Sequence, residues 1–357
     1  MPENAPDQDA RELVQPRIRR AWYVACVSTE LRKKPLAFTI FETPIVLFRD
    51  SSGQANALMD RCPHRNVPLS IGKVVDGRLA CGYHGWQFSG DGRCVHIPAY
   101  TGEPDRPARR CGAFPVIEQQ GFVWVWPDRS GPPEGPPFEM RYADAPGYLT
   151  VRKALPAQAS IHAVAENALD VPHTAFLHRG LFRSDTPNRA PITCRIKRWH
   201  DRVECEYIGE SRPTGLVGRI LSPSGGTVIH FDRFYLPSIV EVEYRIGDEN
   251  HIVLNGAITP VSDHESVLHA CVAVRARIPL WLVRPFVEMA ALRIFGQDQR
   301  LLEIQTNALR RFGEARYAST EIDVLGPHIL RLMRQAARGT PAPPDGQPYT
   351  RDVTMLV

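Results

Sequence analysis

From Ala21 to about Trp126 the apolar positions fall in short runs: Trp22–Val27, Leu36–Phe41, Pro44–Phe48 and Phe122–Trp126, all rich in β-branched and aromatic side chains. Turn formers at Gly53, Gly77 and Gly90-Asp91-Gly92 separate them. Short runs bounded by such residues predict strands, and the stretch 21–127 reads as a compact all-β domain. Gly131-Pro132-Pro133 and Gly135-Pro136-Pro137 then forbid a continuing strand or helix, which places a linker at 128–146.

The pattern changes in the second half, 147–338. A helix is expected over about Ala157–Asp170, and strands at Val203–Tyr207, Thr227–Phe234, Ile239–Ile246, Ile252–Thr259 and Val267–Arg277. Ile239–Ile246 alternates at period two, as a half-buried antiparallel strand should. A long amphipathic helix covers about Arg284–Arg311, with Gly313 as its stop. The fold class is α+β: an all-β N-terminal domain, then an antiparallel sheet wrapped against a long helix in a helix-grip-like layout. The tail 339–357 is Pro-rich and is expected to be loose.

At 357 residues and 43% hydrophobic the chain can fill two cores. A net charge of +4, from 43 basic and 39 acidic residues, shows no basic tract suited to nucleic acid. Met1–Ala10 lacks the order of a secretory signal, and no apolar run is long enough to span a membrane, so a cytoplasmic protein is expected. Eight cysteines are too dilute for a disulfide scaffold. Cys26, Cys94, Cys111, Cys194, Cys205 and Cys271 read as small buried hydrophobes.

Cys62 and Cys81 differ because of their neighbours. Cys62-Pro63-His64 and Cys81-Gly82-Tyr83-His84 each offer one thiolate and one imidazole, and 16 residues lie between them. A Rieske-type [2Fe–2S] cluster needs two Cys on one iron and two His on the other. Structural zinc also takes Cys₂His₂, but it normally pairs like with like, whereas here the types alternate. Pro63 stiffens the first loop, Gly82 and Gly85 allow close backbone approach, and Tyr83, Trp86 and Phe88 can shield the site.

Cys62 to Lys73 and Cys81 to Cys94 resemble the α-subunit of Rieske non-heme iron oxygenases, especially the small single-component type of demethylases, aromatic hydroxylases and chlorophyll-related oxygenases. The resemblance continues more weakly through His96–Pro98 to Phe122–Trp126.

Oxygen activation at non-heme Fe(II) commonly uses two His and one carboxylate on one face of the metal. His173 and His178 supply the imidazoles; on one uninterrupted helix they would splay by more than about 100°, and Pro172 breaks that helix. Alone, such a pair is ordinarily two histidines near a helix end. The family's pattern of Asn, Asp and His-x4-His falls on Asn167, Asp170, His173 and His178.

For the carboxylate, Asp298 shares a helical face with Ile294, Phe295, Leu301 and Leu302, and a buried Asp without a partner is costly. Iron would be that partner; a salt bridge to Arg300 or Arg293 is the competing explanation. Glu288 suits less well, and so does Glu303, which lies among Gln299, Arg300 and Asn307. Phe295–Gln305 also resembles the family's third-ligand helix.

The resemblance implies more. Asn167 and Asp170 become catalytic residues that do not bind iron, and Asp170 links His84 of one subunit to His173 of the next, within a head-to-tail homotrimer. It also implies electrons from NAD(P)H through a ferredoxin and/or flavin reductase, with O₂ as co-substrate. The reaction expected is monooxygenase or dioxygenase hydroxylation, or oxidative demethylation, of a small cyclic or aromatic molecule. Leu181–Leu221 and the strands from Thr227 to Arg277 should line the pocket; of the remaining histidines, His230 and His251 are the two that could face it. A bare electron carrier and a redox-responsive protein without turnover are the alternatives.

Overall fold

The structure, a computed structural model, describes residues 16–178, 190–210, 227–247, 250–276, 280–313, 315–340 and 346–356. It divides into two units, one of which spans Arg19–Glu139 together with Thr259–Ser262.

In that first unit, strand Thr43–Arg49 is buried on both faces, which explains its unbroken apolar run. Ile45 and Leu47 pack with Tyr23, Ile40, Val123 and Val125. Val46 and Phe48 point the other way, onto Leu58, Leu69, Leu79 and Phe88. Around these two cores stand a three-stranded sheet and two four-stranded sheets. The described residues of the unit contain no α-helix, as the short apolar runs predict. Cys62 and Cys81 belong to the second core, so the candidate cluster loops are anchored in packed side chains. Thr259, at the end of a long strand, donates from Oγ1 to the Val24 carbonyl at 2.6 Å.

The second unit holds most of the chain from Met140 onward. Its eight-stranded sheet runs, in order, Leu149–Ala157, Glu265–Arg275, Asn250–Ser262, Ile239–Ile246, Val228–Tyr235, Arg202–Ile208, Pro191–Arg198 and Tyr349–Leu356. Among the described residues its helices are α1 (Ile161–Ala168), α2 (Thr174–Leu177), α3 (Leu280–Phe312) and α4 (Gly326–Ala337). One core joins Ile192, Ile196, Val203, Tyr207, Phe234 and Val240 of the sheet to Ile161, Leu302, Ile329 and Leu332 of the helices. Among the described residues no helix is long and apolar enough to cross a membrane.

Several expectations need correcting. The expected start of the first helix at Ala157 is strand, paired with Ser266. The helix begins only at Ile161, where Ser160 Oγ accepts from Ala163 N–H at 3.0 Å, a side-chain cap. The tail 339–357 is not loose throughout: Tyr349–Leu356 pairs along the whole of Pro191–Arg198 and buries Val353 and Met355. Proline is confined to positions before Tyr349, and beyond it the chain alternates as an edge strand does.

Ile239–Ile246 is also more buried than its acidic face suggests. Glu241 is 0% exposed, and Arg233 Nη1 donates to Glu241 Oε1 and to Glu243 Oε2 at 2.7 Å each. Arg141 adds a second guanidinium to both carboxylates. Burial pushes Glu243 up, yet hydrogen bonds from His251 and Arg233 with the nearby guanidiniums hold it well below the usual carboxylate range.

His230 and His251 are sealed inside this sheet and do not face open space. His251 lies between Tyr148 Oη at 2.5 Å and Glu243 Oε1 at 3.0 Å. His230 is stacked between the Tyr207 and Tyr244 rings, at 4.3 and 3.9 Å, and its nitrogens reach Glu210 Oε2 at 2.7 Å and Asp232 Oδ1 at 3.0 Å. Burial alone would lower its pKa, but Asp232 and Glu210 outweigh burial and raise it to about 9. A raised folded pKa stabilises fully below the unfolded value of about 6.5 and loses that stabilisation as pH rises through the folded value. Urea midpoints should therefore fall between pH 7 and 9, and His230→Gln should flatten that slope; equal slopes in both proteins would show that His230 is not charged.

Candidate metal centres

The first centre is built from two tight turns. Asn66 N–H donates to Cys62 O at 2.8 Å, with Asn66 in the left-handed region (φ 63°) that Asn tolerates. In the second turn Gly85 N–H donates to Cys81 O at 3.0 Å, and its φ of 71° favours glycine. The Cys62 and Cys81 thiols are buried and close enough to hydrogen-bond. The His64 and His84 rings lie 4.6 Å apart.

Two observations fit an iron–sulfur cluster there. His64 Nδ1 is buried without a hydrogen-bond partner, as a ligand nitrogen would be. Burial pushes the Cys62 thiol up to about 11, so assembly of a cluster would release protons. Of the expected shielding residues, Trp86 stacks on His64 at 4.6 Å and 6°. Phe88 is buried in the core, while Tyr83 touches His84 and is itself 62% exposed.

The second centre draws on α1, the turn after it and α3. α1 ends at Ala168, and α2 does not begin until Thr174, with Pro172 in the gap. That break lets His173 and His178 converge, their Nε2 atoms 3.2 Å apart. Asp298 Oδ1 lies 3.2 Å from His178 Nε2 and 3.7 Å from His173 Nε2. Ligand atoms on one face of an octahedral metal sit roughly 3 Å apart for bonds of about 2.1 Å, so this set suits a single cation. Among the described residues outside the cluster loops it is the group of donor atoms close enough together to hold a metal ion.

Asp298 sits in a narrower inward stripe than its sequence suggests: Phe295, Leu302 and Thr306 pack inward with it, whereas Leu301 is 42% exposed. At about 100° per residue, Leu302 (four on) and Phe295 (three back) rotate to the same side of Asp298, whereas Leu301 (three on) rotates to the other. Neither Arg293 nor Arg300 is its partner; Asn167 Nδ2 is, at 3.4 Å. Asp170 Oδ2 accepts from His173 N–H at 3.0 Å and lies 3.2 Å from His173 Nδ1. Glu303 is exposed, as its polar neighbours imply.

Gln297 was not anticipated. Its Oε1 lies 2.9 Å from His178 Nδ1 and can only accept, which puts the imidazole proton on Nδ1 and leaves the Nε2 lone pair facing Asp298. Its one sequence signal is adjacency to Asp298, which says nothing of direction. Of Leu181–Leu221, expected to line a pocket, residues 181–189 and 211–221 lie outside the described residues, and 190–210 carry the strands Pro191–Arg198 and Arg202–Ile208.

A family model described as the Rieske [2Fe-2S] domain matches residues 21–108. Another, described as the vanillate O-demethylase oxygenase C-terminal domain, matches 157–339. The dicamba O-demethylase oxygenase component of Stenotrophomonas maltophilia is 39% identical over 68% of this chain and 62% of its own length. Protein TIC 55, chloroplastic, of Arabidopsis thaliana is 30% identical over 81% of this chain and 54% of its own. The chain thus spans less than two thirds of either. It spans 93% of the vanillate O-demethylase oxygenase subunit of Pseudomonas sp. (strain HR199 / DSM 7063), at 32% identity over 88% of this chain. The crystal structure of dicamba monooxygenase bound to dicamba shares the fold, with a TM-score of 0.78 and 24% identity over 90% of this chain and 98% of that one.

Replacing Gln297 with Leu should weaken Fe(II) binding at His173, His178 and Asp298 by about 10–100-fold, read by iron retained against a chelator, while the visible spectrum of the cluster stays unchanged. Gln297→Glu, still an acceptor, should bind nearer to normal. Unchanged affinity in Gln297→Leu would remove its orienting role.

Proposed function

This chain belongs to the α-subunits of the Rieske non-heme iron oxygenases, and on that footing we propose that it uses O₂ and external electrons to hydroxylate, or oxidatively demethylate, a small cyclic or aromatic molecule. The observation that carries this reading is the convergence of His173, His178 and Asp298 in a chain that also has the Rieske loops. An electron carrier has no use for the second site.

In this reading Cys62 and Cys81 bind one iron of the [2Fe–2S] cluster, and His64 and His84 bind the other. His173, His178 and Asp298 hold Fe(II), which when bound supplies the activation of dioxygen. The protein's part is to fix those ligands. Gln297 sets the His178 tautomer, Asn167 steadies the Asp298 carboxylate, and Asp170 accepts from the His173 backbone N–H and lies 3.2 Å from its Nδ1.

Asp170 is also assigned the electron bridge. It is partly exposed, its Oδ1 has no partner among the described residues, and His84 is exposed. Those features suit a contact in which His84 of a neighbouring subunit reaches Asp170, and hence a head-to-tail homotrimer. A ferredoxin or a flavin reductase, drawing on NAD(P)H, would reduce the cluster.

Demethylation follows from hydroxylation when the attacked carbon bears oxygen or nitrogen, because the hemiacetal-type product collapses. Dicamba and vanillate O-demethylases among the relatives favour that outcome.

Three irons per chain are expected, where a carrier would hold two. Asp298→Ala should lose the mononuclear iron and the activity while keeping the cluster's visible spectrum; retained activity would rule out this ligand. Asp170→Asn should keep all three irons yet lose most reductase-coupled oxygen consumption, and near-normal turnover would refute the bridge.

A further inference from the structure

A second polar cluster lies where the strands Pro191–Arg198 and Tyr349–Leu356 meet α4. Arg198 is partly buried, and its Nη1 donates to His328 Nδ1 at 2.7 Å. Its Cζ lies 4.8 Å from the centre of the Tyr349 ring, which is cross-strand from it. Arg331, three positions beyond His328 on α4, and Arg351, two beyond Tyr349 on the edge strand, both act electrostatically on His328. Among the described residues none of Arg198, Arg331 and Arg351 has a carboxylate partner. Other arginines of the sheet do: Arg195 pairs with Asp352 at 3.3 Å, Arg202 with Asp201 at 3.2 Å, and Arg233 with Glu241 at 2.7 Å.

The three guanidiniums act on His328 in one direction. Burial, then Arg198, Arg331 and Arg351, press the His328 pKa down to about 4, so the ring is neutral at pH 7. Burial, then Arg331, also lower Arg198. Because Nδ1 accepts from Arg198, the single His328 proton sits on Nε2, where it is a further donor. The hydrogen bond and the Tyr349 ring hold the Arg198 guanidinium in place, so little side-chain freedom remains to be lost on binding.

We propose that Arg198, His328, Arg331, Tyr349 and Arg351 form a binding site for a phosphate-class oxyanion, either free or as the phosphoryl group of a small molecule. Three unmatched guanidiniums call for a polyvalent anion and not a monocarboxylate, and the planar Arg fork suits phosphate oxygens. The site is separate from the metal ligands and shares no residue with them.

Calorimetric titration of the iron-loaded full-length protein with inorganic pyrophosphate and with ADP, against KCl at matched ionic strength, tests this. Saturable binding at one site per chain is expected, weakened about tenfold or more for each guanidinium removed in Arg331→Gln and Arg351→Gln. Both residues are exposed, so these variants should melt as the parent does. Saturation by pyrophosphate alone would assign a free anion; tighter binding of ADP would assign a phosphorylated small molecule; either supports the site. Absence of saturable binding, binding unchanged in the double variant, or binding of polyglutamate but not pyrophosphate would overturn it.

Discussion

Two imidazoles and a carboxylate facing one another across 3.2 to 3.7 Å form the contact on which the rest of the second unit depends. Three groups with lone pairs do not gather in a partly buried place without a cation or a proton to share. The chain brings them together through a capped helix that stops early, a proline gap after it, and a 33-residue helix that carries Asp298 from far along the sequence. The broad antiparallel sheet is the surface on which those helices are packed.

The same limit on buried charge explains the sheet. Glu241 and Glu243 would be intolerable on a buried face, but Arg233 and Arg141 neutralise them. His230 between Asp232 and Glu210 follows the same rule with an imidazolium. Where an arginine cluster has no acid to meet it, as at Arg198, that rule points outward, to an anion supplied by solution.

Much of this was legible in the sequence because it is local. The alternating Cys and His loops, the His pair beside Pro172 and the period-two run Ile239–Ile246 all declare themselves within a few residues. Asp298 could be found because helical periodicity carries it into an apolar stripe, although Leu301 shows the limit of that argument. What stayed hidden depends on tertiary partners. The tail's strand is apparent only once Pro191–Arg198 offers its edge, and Gln297 is defined by the ring it meets. The burial of Glu241 requires Arg141, a hundred positions away.

Anomalous diffraction at the iron edge tests the central claim most directly. A two-iron peak enclosed by Cys62, His64, Cys81 and His84 is expected, with a separate single-iron peak equidistant from His173 Nε2, His178 Nε2 and an Asp298 oxygen. A cluster peak with no iron at the second position, in protein shown to be fully iron-loaded, would contradict it.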